Sequence, residues 1–352
     1  MISNYNKETT MQSRVLLIYT GGTIGMNRNP HTKALEPFDF EHLLYNVPEL
    51  KQFDTKISTY QFSPPIDSSD MSPQLWGKLA HVIADNYGSY DGFVVLHGTD
   101  TMAYTASALS YMLRNLTKPV IFTGSQLPIG QLRTDGKENL ITSIEIAATC
   151  DREGRAMVPE VGIYFNGHLL RGNRTTKQSA DEFNAFESFN YPHLIDAGVN
   201  ITYHEERILK PDFTKPMTPH FSFDNNVIIF SLFPGIREDI IRHVIATPTL
   251  RSIVMRTYGS GNAPQTPWLI NALKEATRRG LVVVNISQCM QGKVEMGRYD
   301  TGYQLKEAGV VSGYDSTVES AVTKLMYLQS LFDDPEQVRK YMQQSIRGEI
   351  TV

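Results

Sequence analysis

Arg14-Val15-Leu16-Leu17-Ile18-Tyr19-Thr20-Gly21-Gly22-Thr23-Ile24-Gly25 is the first patterned stretch of this chain. Its apolar run, Val15–Tyr19, is rich in branched side chains and shows no polar alternation. It therefore predicts a strand buried on both faces, closed by a glycine-rich turn. The same grammar recurs at Phe93-Val94-Val95-Leu96-His97-Gly98-Thr99-Asp100-Thr101, within a candidate strand Gly92–Leu96, and further strands are expected at Val120–Thr123 and Val161–Phe165. Helical periodicity fills the gaps. One helix starts at Ser72-Pro73, a cap followed by proline, and aligns Leu75, Leu79, Val82 and Ile83. A second runs through Thr101–Leu113, and a third spans Gly136–Ala148 with Asp135 placed to cap it. Strand and helix in alternation predict a mostly parallel sheet with helices on both faces.

Working outward, residues 1–13 are polar and aperiodic and read as a loose extension. A stretch over 201–225, with Pro211, Pro216 and Pro219, reads as a linker. Alternation then resumes, with strands expected at Val227–Phe233, Ser252–Arg256 and Leu281–Ile286. Helices are expected near Glu238–Ala246, Pro267–Arg279, Thr317–Leu331 and Pro335–Gln344. The expected fold is α/β, with two α/β domains of mostly parallel sheet: a larger one over 14–200 and a smaller one over 226–352. A chain of 352 residues with 41% hydrophobic content supports two such cores.

The composition excludes several partners. With 33 basic and 37 acidic residues the formal net charge is −4, and no dense basic run is present, so no nucleic-acid partner is expected. Apolar runs such as Val15–Tyr19 are too short for a secretory core or a membrane span, so a cytoplasmic location and no membrane partner are expected. Cys150 and Cys289 stand far apart and form no thiolate cluster. Among nine histidines there is no His-Glu-x-x-His, and His97, His168 and His193 read as isolated, so no metal and no cofactor are expected.

In an open α/β sheet ligands gather at the carboxyl ends of the strands, where both glycine–threonine turns fall. Gly21, Gly22 and Gly25 do not make the dinucleotide pattern, and no Walker lysine follows. Taken singly, either turn reads as a helix cap; taken together, they deliver two hydroxyls and a carboxylate to one edge. A third element, Arg171-Gly172-Asn173-Arg174-Thr175-Thr176-Lys177, follows the Val161–Phe165 strand. If Lys177 folds back on Asp100, the carboxylate offsets the cost of burying the ammonium, and the pair can move protons to and from Thr99.

With Asp67-Ser68-Ser69-Asp70-Met71 and Gly124-Ser125-Gln126, these stretches resemble the bacterial L-asparaginase family, most closely its cytoplasmic type I branch. The likeness continues through Tyr258-Gly259-Ser260-Gly261-Asn262-Ala263-Pro264 and Gln288-Cys289-Met290, and covers almost everything after residue 14. It implies hydrolysis of the L-asparagine side-chain amide to aspartate and ammonia. In that scheme Thr23 is the nucleophile of a β-aspartyl ester, and Thr99, Asp100 and Lys177 form a second, proton-relaying cluster. It places Gly22, Asp67, Ser68 and Ser69 at the substrate, with Asn262 reaching a neighbouring subunit's site in a homodimer or a dimer-of-dimers tetramer. It also matches Thr176, Arg256 and Cys289 to a regulatory asparagine site; read without the resemblance, Cys289 is a small buried hydrophobe and Arg256 pairs with an acid. One departure concerns a lid tyrosine, since Ile24–Leu44 contains none and Tyr45 is the next available. Two alternatives stand beside this reading. A tRNA-dependent amidotransferase's amidase subunit shares the motifs but carries an extra N-terminal domain, whereas the first strand here begins near Arg14. A non-catalytic amino-acid sensor has no use for a proton relay.

Overall fold

A computed structural model of the chain describes residues 12–28, 35–37, 47–297 and 300–352. Among the described residues the larger sheet has eight strands. Five run parallel at its centre and one edge, in the order Val161–Phe165, Val120–Thr123, Gly92–Leu96, Ser13–Tyr19 and Thr55–Gln61. The uniform apolar run explains the central position of Ser13–Tyr19. Leu16 and Ile18 enter the core under the Pro73–Asn86 and Met102–Met112 helices, while Val15, Leu17 and Tyr19 enter the core under Gly136–Ala148. Alternate side chains of one strand thus feed two different cores.

The far edge departs from expectation. After Val161–Phe165 the chain reverses through Asn166 and Gly167, both with positive φ, into His168–Arg171, and the next two strands, Ile195–Ala197 and Ile201–Tyr203, are also antiparallel to their neighbours. Asn-Gly is the pair that a two-residue hairpin turn favours, because both positions adopt left-handed backbone. Ile201–Tyr203 consequently belongs to the sheet, and the connection expected over 201–225 starts only after it.

The second sheet is parallel throughout, in the order Val227–Ser231, Ser252–Thr257, Val282–Ser287 and Val311–Ser312. Its helices follow the expected spacing at Glu238–Ile245, Pro267–Arg278, Val318–Leu331 and Pro335–Met342; a further one, Asp300–Glu307, lies outside the expected set. Capping differs in detail. Ser72 occupies the N-cap position of its helix but makes no side-chain cap bond. Asp135 likewise makes no side-chain cap bond to its helix backbone, accepting instead from the N–H groups of Gln126 and Leu127 at 3.0–3.2 Å.

The two units share buried groups. Tyr111 of the first shares a hydrogen bond of 2.6 Å with Ser320 of the second. The carboxyl-terminal segment then folds back between them, held by Lys324, whose ammonium lies 2.5 Å from Glu349 Oε1 with both side chains almost wholly buried. Lys324 also donates to the Met342 and Gln344 carbonyls, and Glu349 accepts from the N–H groups of Ile346 and Arg347. Removing one partner strands a buried charge, whereas replacing both need not. Glu349→Ala is expected to cost about 3–5 kcal/mol in urea unfolding. The double variant Lys324→Met/Glu349→Leu should recover only part of that loss in the same measurement, because the Met342 and Gln344 carbonyls and the Ile346 and Arg347 N–H groups lose these partners.

Candidate active site

Gly21 and Gly22 leave the first strand with φ of +144° and +95°. Close approach demands glycine as much as conformation does. A Cβ on Gly22 would stand 2.5 Å from both Cα and N of Gly98, and one on Gly98 would stand 2.5 Å from Ser68 Oγ. Three loops from three strand ends therefore meet backbone to backbone. They are tied by Thr20 N–H to the Leu96 carbonyl at 3.0 Å, Ile66 N–H to the Thr20 carbonyl at 2.7 Å, and Thr101 Oγ1 to the Ser68 carbonyl at 2.6 Å.

Thr23 opens the single helical turn Thr23–Gly25 and is half-buried. Beneath it lies Tyr19, whose ring fills the space a Gly25 side chain would need and whose hydroxyl donates to the Gly22 carbonyl at 3.4 Å. Burial pushes the Tyr19 phenol up to about 12, so it remains a hydrogen-bond donor. His97 pins the second turn in the same manner. It is buried, its Nδ1 lies 2.7 Å from the Gly98 carbonyl, and burial depresses its pKa to about 4, so the neutral imidazole donates from Nδ1.

Lys177 reaches this junction. Its Nζ donates to Thr99 Oγ1 at 2.9 Å and to Asp100 Oδ1 at 2.7 Å. Gln126 Oε1 lies 3.5 Å from Thr99 Oγ1. Only the lysine matches the expected shielding: its side chain is 19% exposed while that of Asp100 is 66% exposed. The pair therefore adds little to stability, and its value is placement of charge beside a hydroxyl. Lys177 arrives there because Gly172–Arg174 is anchored under the carboxyl-terminal segment. Arg174 Nη1 lies 2.9 Å from Asp315 Oδ2, Arg174 Nε donates to the Gly348 carbonyl at 2.7 Å, and Asn173 Nδ2 donates to the Arg347 carbonyl at 3.0 Å.

Ser68 is buried against Gly98, whereas Asp67 and Ser69 are exposed on the same loop. Asp67 caps the Ser68–Asp70 turn, accepting from the Ser69 N–H and hydroxyl at 2.9 Å each, and these bonds hold its carboxyl below the usual range. The junction thus offers two hydroxyls on touching turns, an ammonium on one of them, and a polar loop beside both, within a fold whose two halves have recognisable counterparts.

Residues 14–209 match the family model described as "Asparaginase, N-terminal", and residues 226–342 match "Glutaminase/Asparaginase C-terminal domain". The chain belongs to the asparaginase family. The "L-asparaginase 1" of Escherichia coli K12 is 45% identical over 351 residues, covering 97% of this chain and 99% of that one. The crystal structure of L-asparaginase I from Vibrio cholerae superposes with a TM-score of 0.88 at 42% identity, covering 97% of this chain and all of the other. A glutamyl-tRNA(Gln) amidotransferase component of Pyrococcus abyssi is more distant, 35% identical over 96% of this chain but only 76% of the relative's length.

The remaining expected residues of this asparaginase-family chain fall into two places. Asn262 lies on the second sheet, in the turn after Ser252–Thr257, where its backbone bridges to Tyr258. Thr176, Arg256 and Cys289 come together around a small cavity of about 40 Å³. Cys289 is exposed there, contrary to a buried reading. The acid beside Arg256 is Glu319, which the sequence pattern shows only as a first-turn carboxylate after the Thr317 cap. Burial raises the Glu319 carboxyl; Thr176 Oγ1 donates to its Oε1 at 2.7 Å, while Glu319 Oε2 and Arg256 Nε are buried with no hydrogen-bond partner among the described residues. Tyr45 and most of the loop before it lie outside the described residues. Finally, His168 and His193 are not isolated: both meet Asp196, because the antiparallel edge folds them together.

The contact at Gly22 provides a direct test of the site. Gly22→Ala should separate the two turns and lower turnover about 100-fold or more in an ammonia-release assay. Gly88→Ala, where an added Cβ meets nothing within 4 Å, should leave turnover unchanged.

Proposed function

We propose that this chain is an L-asparaginase, hydrolysing the side-chain amide of L-asparagine to L-aspartate and ammonia, with Thr23 as nucleophile. The observation that carries the reading is Lys177 Nζ bridging Thr99 Oγ1 and Asp100 Oδ1 on the turn that abuts the Thr23 turn. Thr23 Oγ attacks the amide carbon and forms a C–O bond as its proton passes toward the departing nitrogen. The C–N bond breaks, ammonia leaves, and a β-aspartyl ester remains. Water held by Thr99, whose hydroxyl the Lys177 ammonium polarises, then attacks the ester as its proton passes to the departing Thr23 Oγ; the ester C–O bond breaks, aspartate leaves and the Thr23 hydroxyl is restored. Asp100 keeps the lysine charge in place through both halves. Backbone N–H groups of the two glycine–threonine turns face the carbonyl oxygen as it gains charge, in a junction whose close packing prevents relaxation. Gly22, Ser68, Ser69 and Asp67 hold the amino and carboxylate ends of the substrate. A sensor reading leaves the lysine bridge without a purpose.

The same proposal includes a homodimer or a dimer of dimers, with Asn262 of one subunit completing the site of its neighbour. Three facts support it: the open Asp100 carboxylate, and Phe233 and Ile240 on the second unit, each more than half exposed. It extends to a cytoplasmic location, as in the type I branch; among the described residues no helix is long and apolar enough to cross a membrane. It also includes regulation by asparagine at the Thr176, Arg256 and Cys289 cavity, where Glu319 and Arg256 carry the buried polar atoms that an amino acid's ammonium and carboxylate would satisfy.

Ammonia release on asparagine and glutamine, measured side by side, tests the activity, with asparagine expected to be the better substrate. Thr23→Ala should lose about a thousandfold or more in turnover. Near-normal release from that variant would remove Thr23 from its assigned role. In saturation curves the native protein should respond sigmoidally to asparagine and Arg256→Ala hyperbolically; hyperbolic curves from both would dispose of the regulatory site.

A further inference from the structure

The antiparallel edge of the large sheet gathers side chains that neither the family likeness nor the proposed reaction uses. His168, on its own strand, stands directly across from Asp196, its antiparallel partner. Its Nδ1 lies 2.8 Å from Asp196 Oδ1, and His193 Nδ1 lies 3.0 Å from the same oxygen. The two imidazole rings sit 4.1 Å apart, centre to centre, at 37°. His204 Nε2 takes the other carboxylate oxygen, Oδ2, at 2.8 Å, and Glu187 Oε1 stands 3.4 Å from His193 Nε2.

We propose that His168, His193 and Asp196 form a binding site for one divalent transition-metal ion of the zinc class, with His204 and Glu187 as its outer supports. The donors converge. One ring nitrogen each of His168 and His193 and a carboxylate oxygen of Asp196 lie within 4.8 Å of one another, and both Nδ1 atoms are within 3.0 Å of Asp196 Oδ1. Zinc–nitrogen bonds of about 2.0–2.1 Å place tetrahedral donors roughly 3.4 Å apart, so modest ring rotations accommodate the ion. Imidazole and carboxylate donors select zinc, cobalt or nickel over magnesium and calcium, which prefer oxygen alone.

Two of the three ligands already have the outer contact that metal sites use. A histidine ligand is held by a partner on its second nitrogen, and a carboxylate ligand by a donor on its second oxygen. Here Glu187 faces His193 Nε2 and His204 faces Asp196 Oδ2. With the ion on Nδ1, His193 would carry its proton on Nε2, where Glu187 Oε1 accepts it. The backbone holds the array in place. Leu194 N–H donates to the Leu169 carbonyl at 2.8 Å, His204 N–H donates to the Leu194 carbonyl at 3.0 Å, and Arg207 Nη1 donates to the His193 carbonyl at 2.9 Å. The ligand side chains are a quarter to a half exposed, leaving the ion an entry path and room for water to complete its shell. Glu187 also pairs across a short hairpin with Thr176, next to Lys177, so an ion here would tie the sheet edge to the hairpin that presents the lysine.

The test uses the full chain, stripped with chelator and titrated calorimetrically with zinc chloride, with magnesium chloride as control. One saturable zinc equivalent per chain and no magnesium binding are expected. His193→Gln should weaken zinc about 100-fold and Glu187→Gln about tenfold. Absence of a saturable equivalent, or affinity unchanged in both His168→Gln and His193→Gln, would overturn the site, the latter because it would place the ion on other histidines. Should those variants misfold, protection in the native chain decides. Zinc should shield His168 and His193 from diethylpyrocarbonate, read by mass spectrometry, more than the other histidines, and equal modification with and without zinc would refute the proposal. None of these readouts depends on turnover.

Discussion

The architecture depends on the contact between Gly22 and Gly98. Two parallel strands end side by side, and the turns after them can touch only because neither carries a side chain at the point of approach. That contact places the Thr23 and Thr99 turns on a common lip, and Ser68 completes it by packing on Gly98. Everything the site can do chemically follows from three backbones brought closer than ordinary residues allow. Rigidity comes with it, because Tyr19 and His97 brace the two turns from below with buried, uncharged donors.

Lys177 depends on a second, longer chain of causes. Its strand is too short to hold itself, and the preceding turn is instead clamped by charges removed from water. Arg171 lies 2.7 Å from Glu160 and Arg174 lies 2.9 Å from Asp315, all four side chains being buried. Buried pairs of this kind contribute geometry more than stability, since desolvation offsets much of their attraction. The carboxyl-terminal segment supplies further hydrogen bonds, itself held by Lys324 and Glu349. The second unit thereby positions a residue of the first unit's site, which explains why the two share a buried boundary through Tyr111 and Ser320.

The parallel core is legible in the sequence because strands buried on both faces read as unbroken apolar runs, and Gly92–Leu96, Val120–Thr123 and Val161–Phe165 stand where those runs lie. Thr55–Gln61, an edge strand with most of its side chains outside the core, carries no such run and escapes the pattern. The Asn166-Gly167 hairpin does leave a signal, the turn pair itself, which the expectation of continued parallel alternation obscures. Its consequence reaches beyond the fold: reversing the chain there sets His168 opposite Asp196, and histidines that look solitary along the sequence become neighbours. Glu319 is hidden for a related reason, since a first-turn glutamate has an ordinary local role and only packing shows it buried beside Arg256.

Local order along the chain determined the two-part α/β plan, the glycine–threonine turns at strand ends and the family to which they belong, because those features are written in neighbouring residues. Tertiary structure alone decided the exposure of Asp100, the cavity joining Thr176, Arg256 and Cys289, and the gathering of three histidines on one carboxylate. Each of these joins residues distant in sequence, and their distance in space depends on strand direction and on which backbones can approach. Local pattern carries neither quantity.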